Sequence, residues 1–247
     1  MNYLCLAAGK GSRFGQLGSY LQKCMYPVGL RPFVELSIAN LLRSRDVDPD
    51  RDQLTLVVGH HGEQLRRYFG DRYDGLPLRY LEQTEALGTG HALRLFYDAV
   101  EPTAPTVVWL ADLYVSAAMF GALCEHPYDN AETIATGHAD ENPKVRVTTS
   151  GDRVTRAWGG SSPYFDIGLW KLEPAVLAAM TEYTGDEIRA LPNLQRCIDR
   201  GTPVGFVHAD AWLHLGGTQP SPEANVRAVV ARLLDLTSSE TVSEEIR

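Results

Sequence analysis

Short apolar runs alternate along the chain with longer stretches in which apolar residues recur every three or four positions. Four runs have the length and the polar or glycine-rich ends of buried strands: 3–8, 54–58, 78–81 and 106–110. Three stretches have the spacing of amphipathic helices: 32–45, 62–69 and 91–100. Strands alternating with helices in this way predict an α/β fold built on a Rossmann-like, doubly wound, mostly parallel sheet.

The pattern changes beyond residue 128. It predicts a β-ribbon formed by residues 145–149 and 153–158, followed by an apolar strand over 167–172. A helix that begins at Pro174, a strand over 203–208 and a C-terminal helix over 223–236 complete the prediction. We interpret residues 129–236 as an insertion or lid on the sheet formed by residues 1–128. Residues 1–236 are therefore predicted to form a single domain, and residues 237–247, rich in Ser, Thr and Glu, a flexible tail.

Composition narrows the class of protein. A length of 247 residues suits one large domain, and 44% hydrophobic with 22% charged residues is typical of a globular protein. The formal net charge of −8 disfavours binding to nucleic acid or to an anionic membrane surface. No apolar stretch reaches the ~20 residues of a membrane span. The four scattered cysteines offer no zinc-ligand spacing, and with no signal sequence evident they favour a cytoplasmic protein with reduced thiols.

The first strand runs into a glycine-rich loop with the sequence Leu6-Ala7-Ala8-Gly9-Lys10-Gly11-Ser12-Arg13. Glycines let backbone N–H groups approach an anion closely, and an arginine binds phosphate oxygens with two hydrogen bonds. The alternative is a tight turn between a strand and a helix with no ligand. The spacing matches neither the GxGxxG fingerprint of dinucleotide sites nor a P-loop, which excludes both assignments.

A second segment follows at short range and makes the pattern specific. It contains Lys23 just before an apolar-Pro-Val turn, then Gly29, and Pro32 ahead of a predicted helix. Together the two segments resemble the sugar-phosphate nucleotidyltransferase family, the NDP-sugar pyrophosphorylase-like enzymes, whose signature is LAAGxGxR followed by a lysine and Pro-Val. The resemblance continues in family order through the segments at 57–60, 68–71, 82–93, 109–112 and 212–218.

The resemblance implies that residues 1–128 form the nucleotide-binding half and residues 129–236 the acceptor-binding half. It assigns the triphosphate to the loop residues Leu6, Ala8, Gly9, Gly11 and Ser12. Arg13 and Lys23 are the implied catalytic residues: Arg13 holds the β and γ phosphates that leave as pyrophosphate, and Lys23 neutralises the α-phosphate.

Base recognition is assigned by the same resemblance to Gln83, with Gly88 and Thr89 of the Leu-Gly-Thr pattern beside it. A carboxamide carries one acceptor and two donors, so Gln83 alone does not identify the base. The alternative is a surface glutamine before a turn.

Asp112 follows the predicted fourth strand, at the sheet edge where ligands bind in open α/β folds. Its carboxylate suits Mg²⁺, with Mn²⁺ a further candidate; the alternative is a helix-capping aspartate. His214 stands where the family usually has a second metal-binding aspartate, and it either binds metal or contacts the acceptor. Imidazole is a better ligand for Mn²⁺ or Co²⁺ than for Mg²⁺. Asp210 is the nearest substitute carboxylate.

The acceptor half departs from the family, because the usual Glu-Lys-Pro is replaced by residues 157–163 without either charge. Asp166 and Gly168 match the family's polar acceptor strand, and Trp158 is an acceptor-stacking candidate that packing would equally explain. The candidates for the missing cation are Lys144, Arg146, Arg153 and Arg156. Most of them are equally well explained as solvent-exposed residues on one face of the β-ribbon.

The function implied is transfer of a nucleoside monophosphate from a nucleoside triphosphate to a sugar 1-phosphate, with release of pyrophosphate. The binding partners are then the triphosphate and a small phosphorylated acceptor, with no nucleic acid and no membrane. Two alternatives remain open. One is the same chemistry on a non-sugar phosphate, phosphonate or phosphoramidate, as in cytidylyltransferases. The other is an inactive regulator that binds a nucleotide.

Overall fold

The structure is a computed structural model that describes residues 1–44, 48, 50–136, 143–210, 213–216 and 222–245. Within these ranges the structure does not describe the side chains of Ser12, Arg13, Pro143, Pro222, Glu223 and residues 236–245. None of the helices in the described part of the chain is long and apolar enough to cross a membrane.

A ten-stranded mixed sheet organises the chain. The strands of the protein are β1 (Asn2–Ala7), β2 (Pro27–Val28), β3 (Arg31–Pro32), β4 (Gln53–Val58), β5 (Arg72–Tyr73), β6 (Leu76–Glu82), β7 (Thr106–Leu110), β8 (Leu113–Tyr114), β9 (Ala131–Thr136), β10 (Thr148–Ser150), β11 (Arg153–Arg156), β12 (Tyr164–Leu172), β13 (Gly205–His208) and β14 (Leu213–His214). The large sheet has the order β10-β11-β13-β9-β12-β7-β1-β4-β6-β5, while β2-β3 and β8-β14 form small separate pairs. The predicted α/β fold is confirmed.

Helices cover both faces of this sheet: α1 (Phe33–Ser44), α2 (Gly62–Phe69), α3 (Thr89–Val100), α4 (Ala117–Cys124), α5 (Pro174–Ala178), α6 (Ala190–Asp199) and α7 (Pro222–Glu245). Side chains alternate along β1, so Tyr3 and Cys5 pack with α1 and α4 on one face, whereas Leu4 and Leu6 pack with α3, α5 and α6 on the other. Burial on both faces explains why β1 is apolar throughout.

The nucleotide-binding half has the parallel core that the pattern predicts. β1 lies between β4 and β7, parallel to both, and β4 is also parallel to β6. The acceptor-binding half continues the same sheet, because β12 runs antiparallel to both β7 and β9. The β10-β11 ribbon joins through β11 and β13. Parallel strands end at a common edge, and that edge carries the site.

Among the α-helices and the strands longer than two residues, three escaped the sequence analysis, and one helix end was wrong. β9 contains Glu132 and Thr133, two polar residues that are fully buried and therefore disguise a core strand. The sequence of α4 is apolar on nearly all sides and shows no clear helical periodicity. The sequence of α6 does have apolar residues at helical spacing, and the analysis missed it because Pro192 lies in its first turn. The last helix continues to Glu245 rather than ending at residue 236.

Candidate active-site cleft

A cleft with a volume of about 590 Å³ opens at the carboxyl ends of β1 and β7. Ten of the residues assigned from the sequence line it: Leu6, Ala8, Gly9, Gly11, Lys23, Gln83, Gly88, Thr89, Asp112 and His214. These residues come from five separate parts of the chain, and the sheet topology brings them together at one edge. The cleft is large enough for a small-molecule ligand.

The glycine-rich loop turns sharply into a short 3-10 helix (Ser12–Ser19). Gly11 has φ of +61°, and its carbonyl accepts a hydrogen bond from the N–H of Phe14 at 2.7 Å. A Cβ on Gly9 would meet no atom within 4 Å, so the backbone here faces open space. The side chains of Ser12 and Arg13 lie outside the described residues, and their roles stay predictions.

Gln22 supports this loop, although the sequence analysis overlooked it. Its buried side chain donates from Nε2 to the carbonyl oxygens of Ala7 at 2.5 Å and Gly9 at 3.3 Å. Its own backbone N–H donates to Gln64 Oε1 at 2.9 Å. The sequence feature that could have identified Gln22 is its position directly before Lys23, where a side-chain amide can hydrogen-bond the glycine-rich loop.

Lys23, Asp112 and His214 form a connected group at the floor of the cleft. Lys23 Nζ donates to Asp112 Oδ2, and His214 Nε2 lies 3.1 Å from Asp112 Oδ1. The small β8-β14 pair creates this contact by setting His214 opposite Leu113, next to Asp112 in the chain. The structure therefore brings together the two residues predicted to bind metal.

The hydrogen bonds of His214 determine which ring nitrogen carries its proton. The N–H of Gly216 donates to His214 Nδ1 at 3.0 Å, so Nδ1 accepts and Nε2–H donates to Asp112. Both ring nitrogens are thus engaged with the protein. A Cβ on Gly216 would lie 2.5 Å from His214 Cε1 and 2.6 Å from Lys23 Nζ, so a side chain there would displace one of these two groups.

Charge pairing controls the ionisation of Asp112. Burial alone would raise the pKa of this carboxyl group, but His214 and Lys23 oppose it and hold the pKa well below its usual range. Asp112 is therefore an ionised oxygen donor at neutral pH. Asp210, the alternative carboxylate, accepts a hydrogen bond from Ser116 Oγ at 2.8 Å and is not among the residues that line the cleft.

The opposite wall of the cleft is formed by Gln83 and the turn into α3. Gln83 Nε2 donates to the Gly88 carbonyl oxygen at 3.1 Å and lies 2.9 Å from His91 Nδ1. Gly88 has φ of +97°, and a Cβ there would come within 2.7 Å of the Ile188 carbonyl oxygen. Glycine is therefore required at this position both by conformation and by space.

A segment of the acceptor-binding half packs against that turn. Ile188 exchanges backbone hydrogen bonds with the turn: its N–H donates to Leu87 O at 2.7 Å and its carbonyl accepts from Gly90 N at 2.7 Å. This contact places Glu187 on the cleft lining. The sequence analysis missed Glu187, because nothing local in the sequence links it to residues a hundred positions earlier.

The three predicted acceptor residues are not among those that line the cleft. Asp166 is buried, and its carboxylate accepts hydrogen bonds from Gly168 N at 2.9 Å and Trp170 Nε1 at 2.5 Å. A Cβ on Gly168 would lie 2.5 Å from Leu110 Cδ1, so this strand packs directly behind the cleft wall. Trp158 packs against the core on the α3 side of the sheet.

Asp166 shares its buried site with Glu132. Burial raises the pKa of Asp166 to about 6, although the neighbouring Glu132 and the hydrogen bonds from Trp170 and Gly168 oppose the rise. Burial and the neighbouring Asp166 carboxylate raise the pKa of Glu132 well above its ordinary value. Glu132 is therefore the more strongly protonated of the two carboxyl groups, and Asp166 is the one that ionises first as the pH rises.

The four candidate acceptor cations do not line the cleft either. Arg146 donates from a guanidinium nitrogen to Ser162 O at 2.9 Å and stacks over Phe165, with 4.5 Å between guanidinium carbon and ring centroid. Arg153 donates to the Tyr128 hydroxyl at 3.0 Å. These two arginines stabilise the ribbon.

A family model for the MobA-like NTP transferase domain matches residues 3–235. The chain belongs to this family. The match spans both halves of the sheet, so the acceptor-binding half is part of the family domain.

Curated relatives match about half of the residues of this chain. The bifunctional protein GlmU of Burkholderia multivorans is 36% identical over 118 residues, covering 48% of this chain and 23% of the relative. GlmU of Chromobacterium violaceum is 34% identical over 119 residues, with the same coverage of 48% and 23%. The matched region spans about a quarter of the length of these relatives.

Solved structures share the fold along nearly the whole chain. A UDP-glucose pyrophosphorylase complexed with UDP-glucose superposes with a TM-score of 0.76 at 18% identity, covering 95% of this chain and 98% of the other. An inositol-1-phosphate CTP transferase from T. maritima gives a TM-score of 0.72 at 18% identity, covering 93% and 94%. At 18% sequence identity, the structural similarity establishes that the chain shares the fold of these proteins.

Proposed function

We propose that this protein transfers a nucleoside monophosphate from a nucleoside triphosphate to a sugar 1-phosphate and releases pyrophosphate. The observation that carries the proposal is the pairing of Lys23 with Asp112 beside the glycine-rich loop, in a cleft at the carboxyl edge of the sheet. A cation and a carboxylate at this place match the needs of a triphosphate with its metal ion. The GlmU relatives and the pyrophosphorylase fold support the same class of reaction.

The reaction needs positioning and charge rather than a covalent intermediate. An oxygen of the acceptor's phosphate attacks the α-phosphorus in line, a new P–O bond forms, and the bond between the α-phosphorus and the bridging oxygen breaks. The electron pair of that bond leaves with pyrophosphate. No general base is needed, because a phosphate monoester is already largely dianionic near neutral pH.

The residues assigned from the sequence have distinct roles in this scheme. The backbone of Gly9 and Gly11 holds the triphosphate, Arg13 holds the β and γ phosphates, and Lys23 offsets the negative charge that grows at the α-phosphate. Thr89 lies at the N-terminus of α3, so its N–H adds a donor at the base side. Gln83 and Gly88 read the base from the same wall.

Asp112 fits a divalent cation. It is an ionised, half-buried oxygen donor, and Mg²⁺ commonly takes one or two carboxylates together with phosphate oxygens. Among the described residues no cluster of three or more His, Cys, Asp or Glu side chains forms a protein-only site, which agrees with a metal held jointly with substrate. Bound there, Mg²⁺ supplies positive charge to the α-phosphate; Mn²⁺ suits the same donor.

His214 acts on this scheme through Asp112. Because its Nε2–H donates to Asp112 and its Nδ1 accepts from Gly216, we favour a role in which His214 orients the carboxylate. Direct metal coordination requires one of these hydrogen bonds to break. That second role predicts a preference for Mn²⁺ or Co²⁺.

The acceptor is a small phosphorylated molecule, with a sugar 1-phosphate as the first candidate. One observation favours a second candidate, a non-sugar phosphate with a cationic group such as phosphocholine. The predicted acceptor-binding half adds Glu187, whose carboxylate pairs with Arg189 at 3.2 Å, to the cleft lining, and none of the four ribbon cations. None of the four cysteines, all of which lie in the described part of the chain, forms a disulfide, and this supports the cytoplasm as the compartment.

Pyrophosphate release tests the proposal. The four common nucleoside triphosphates are crossed with a panel of sugar 1-phosphates and with phosphocholine, in the presence of Mg²⁺. We expect release with at least one sugar 1-phosphate, and its loss in Lys23→Ala but not in Arg67→Ala, a matched exposed cation on α2. Release with phosphocholine alone would select the second candidate. Nucleotide binding without any release across the panel would contradict the enzyme and favour a regulator.

A further inference from the structure

Three side chains at the start of α2 bind the main chain that leads to Lys23. We call them the α2 clamp: His60, His61 and Gln64. Their partners are four backbone atoms within residues 18–22: Gly18 O at 2.8 Å from His60 Nε2, Ser19 O at 3.1 Å from His61 Nε2, Tyr20 O at 2.7 Å from Gln64 Nε2, and Gln22 N at 2.9 Å from Gln64 Oε1. The clamp therefore holds the segment between the glycine-rich loop and Lys23 against the connection from β4 to α2.

The direction of each of these hydrogen bonds is determined by its backbone partner. A carbonyl oxygen can only accept, so His60 and His61 both carry a hydrogen on Nε2, whatever the state of their other ring nitrogen. Gln64 is fixed at both ends, because its Nε2 faces a carbonyl oxygen and its Oε1 faces a backbone N–H. Turning the carboxamide would place two donors together and two acceptors together, so only one orientation satisfies both contacts.

Gln22 connects the clamp to the glycine-rich loop. It is only 3% exposed, and its backbone N–H has Gln64 Oε1 as its acceptor. Its side chain donates to the carbonyl oxygens of Ala7 and Gly9. A buried N–H that loses its acceptor must move to find another, because leaving it unpaired is costly. Such a movement would displace the loop on one side and Lys23, the next residue, on the other.

The clamp also supports the loop at a second point. A Cβ on Gly18 would lie 3.0 Å from the carbonyl oxygen of Gly11, so the two main chains are in close contact, and His60 binds the carbonyl of the same Gly18. His61 has φ of +55°, which glycine would adopt with less strain but without the hydrogen bond to Ser19. None of the three clamp residues is among the described residues that line the cleft. They can act on a ligand only through the main chain that they hold.

We infer that the α2 clamp is a positioning device in which Gln64, acting through Gln22, holds the glycine-rich loop and Lys23 in the geometry that binds the triphosphate. The inference rests on the proposed function, since it assumes that the loop binds phosphate groups. The wall assigned to the base, formed by Gln83 and the turn into α3, receives no hydrogen bond from the clamp within the described part of the chain. Loss of the clamp should therefore weaken binding of a nucleoside triphosphate more than binding of the corresponding monophosphate.

Two substitutions of Gln64 separate positioning from packing. Gln64→Met keeps the length of the side chain and removes both hydrogen bonds, whereas Gln64→Glu keeps an oxygen that accepts from the Gln22 N–H. The glutamate loses the bond to Tyr20, but that contact lies at the surface, where water can replace it. Arg67→Met, at an exposed position on the same helix, is the control for a change outside the clamp.

The test is calorimetric binding of ATP, GTP, CTP and UTP with Mg²⁺, which needs no acceptor. The monophosphate of the tightest-binding triphosphate is then measured by displacement, so that a weak affinity is still determined. We expect Gln64→Met to weaken triphosphate binding at least ~10-fold, the order of one hydrogen bond to a charged group. Monophosphate binding to this variant should change by no more than about threefold, and Gln64→Glu and Arg67→Met should stay within that range for both ligands.

The possible failures are distinguishable. If the wild type binds none of the four triphosphates, the proposed function fails and this inference fails with it. If the wild type binds a triphosphate and Gln64→Met keeps that affinity, or loses affinity for both ligands by the same factor, only the role of the clamp is overturned. Equal losses in Gln64→Met and Gln64→Glu overturn it as well, because the acceptor for Gln22 is then not what matters.

Circular dichroism melting of each variant identifies loss of fold. If Gln64→Met does not fold, His60→Gln and His60→Leu provide the same comparison, since a glutamine Nε2 can replace the imidazole Nε2 as donor to Gly18 and leucine cannot. We expect His60→Leu to weaken triphosphate binding selectively and His60→Gln to restore it. Equal affinities of these two variants for the triphosphate would overturn the inference.

Discussion

The buried pair Glu132 and Asp166 makes a quantitative prediction about stability. In the folded chain Glu132 keeps its proton to a higher pH than an ordinary glutamate, because burial and the neighbouring carboxylate raise its pKa well above the ordinary value of 4.5. In the unfolded chain the same group loses its proton above that value. The folded state therefore binds the extra proton, and the free energy of unfolding must fall as the pH rises above 4.5.

The magnitude follows from this difference of one proton. Each pH unit in which only the folded state holds the proton lowers the free energy of unfolding by about 1.4 kcal/mol. If the folded chain holds the Glu132 proton throughout the range from pH 4.5 to 7, the free energy of unfolding falls by about 3 kcal/mol in total, with 4.5 as the pKa in the unfolded chain. Asp166 contributes in the same direction up to its folded pKa of about 6.

Glu132→Gln removes this proton linkage, since an amide keeps the shape of the protonated acid and does not titrate. Urea unfolding at pH 5, 6, 7 and 8 measures the effect. We expect the variant to gain stability relative to wild type with each pH unit, by up to about 1.4 kcal/mol. Glu125→Gln, an exposed glutamate after α4, is the control and should show no such trend. A difference between Glu132→Gln and wild type that did not depend on pH would refute the reasoning.

The remaining predictions concern the cleft. Lys23→Ala should lower turnover by ~10²-fold or more without loss of fold, because it removes a charge aimed at the transition state; near-normal pyrophosphate release would show that the loop is not catalytic. Asp112→Asn should abolish metal-dependent turnover and retain metal-free nucleotide binding; an unchanged Mg²⁺ titration would reduce Asp112 to a structural residue. If His214 orients Asp112, His214→Ala should reduce turnover with every metal alike. If it binds metal directly, His214→Asp should shift the preference from Mn²⁺ towards Mg²⁺ in a metal titration.

The first half of the fold was predictable because its signals are local. The buried parallel strands are continuous apolar runs, and helices α1, α2 and α3 have clear helical spacing, so their ranges differ from the predictions by few residues. β9 was not predictable, because its buried Glu132 is acceptable only beside Asp166, a partner 34 positions away whose proximity depends on the β9-β12 pairing.

The residues of the candidate site also fall into two groups, those with a local sequence signal and those whose position depends on distant parts of the chain. Its loop residues were identified because their motif is contiguous, and the structure collects them in one cleft. Gln22 and Glu187 were missed because their positions in the cleft depend on tertiary contacts. The opposite failure is Asp166, a polar residue at a suggestive position whose carboxylate is already occupied by Trp170 and Gly168. Sequence identifies a polar group, but only the packing around it determines whether that group is available to a ligand.

The continuity of the sheet limits how this protein can enclose a substrate. β12 of the acceptor-binding half is hydrogen-bonded to β7 over four residue pairs, Leu169 to Leu172, in the middle of the ten-stranded sheet. A hinge rotation of one half against the other would have to break this ladder, at a cost far above that of moving a loop. Closure must therefore come from segments at the rim, such as the chain around Glu187 and the short strand that carries His214. Substrate exchange is then governed by loop motion, and the relative orientation of the two half-sites stays constant through the catalytic cycle.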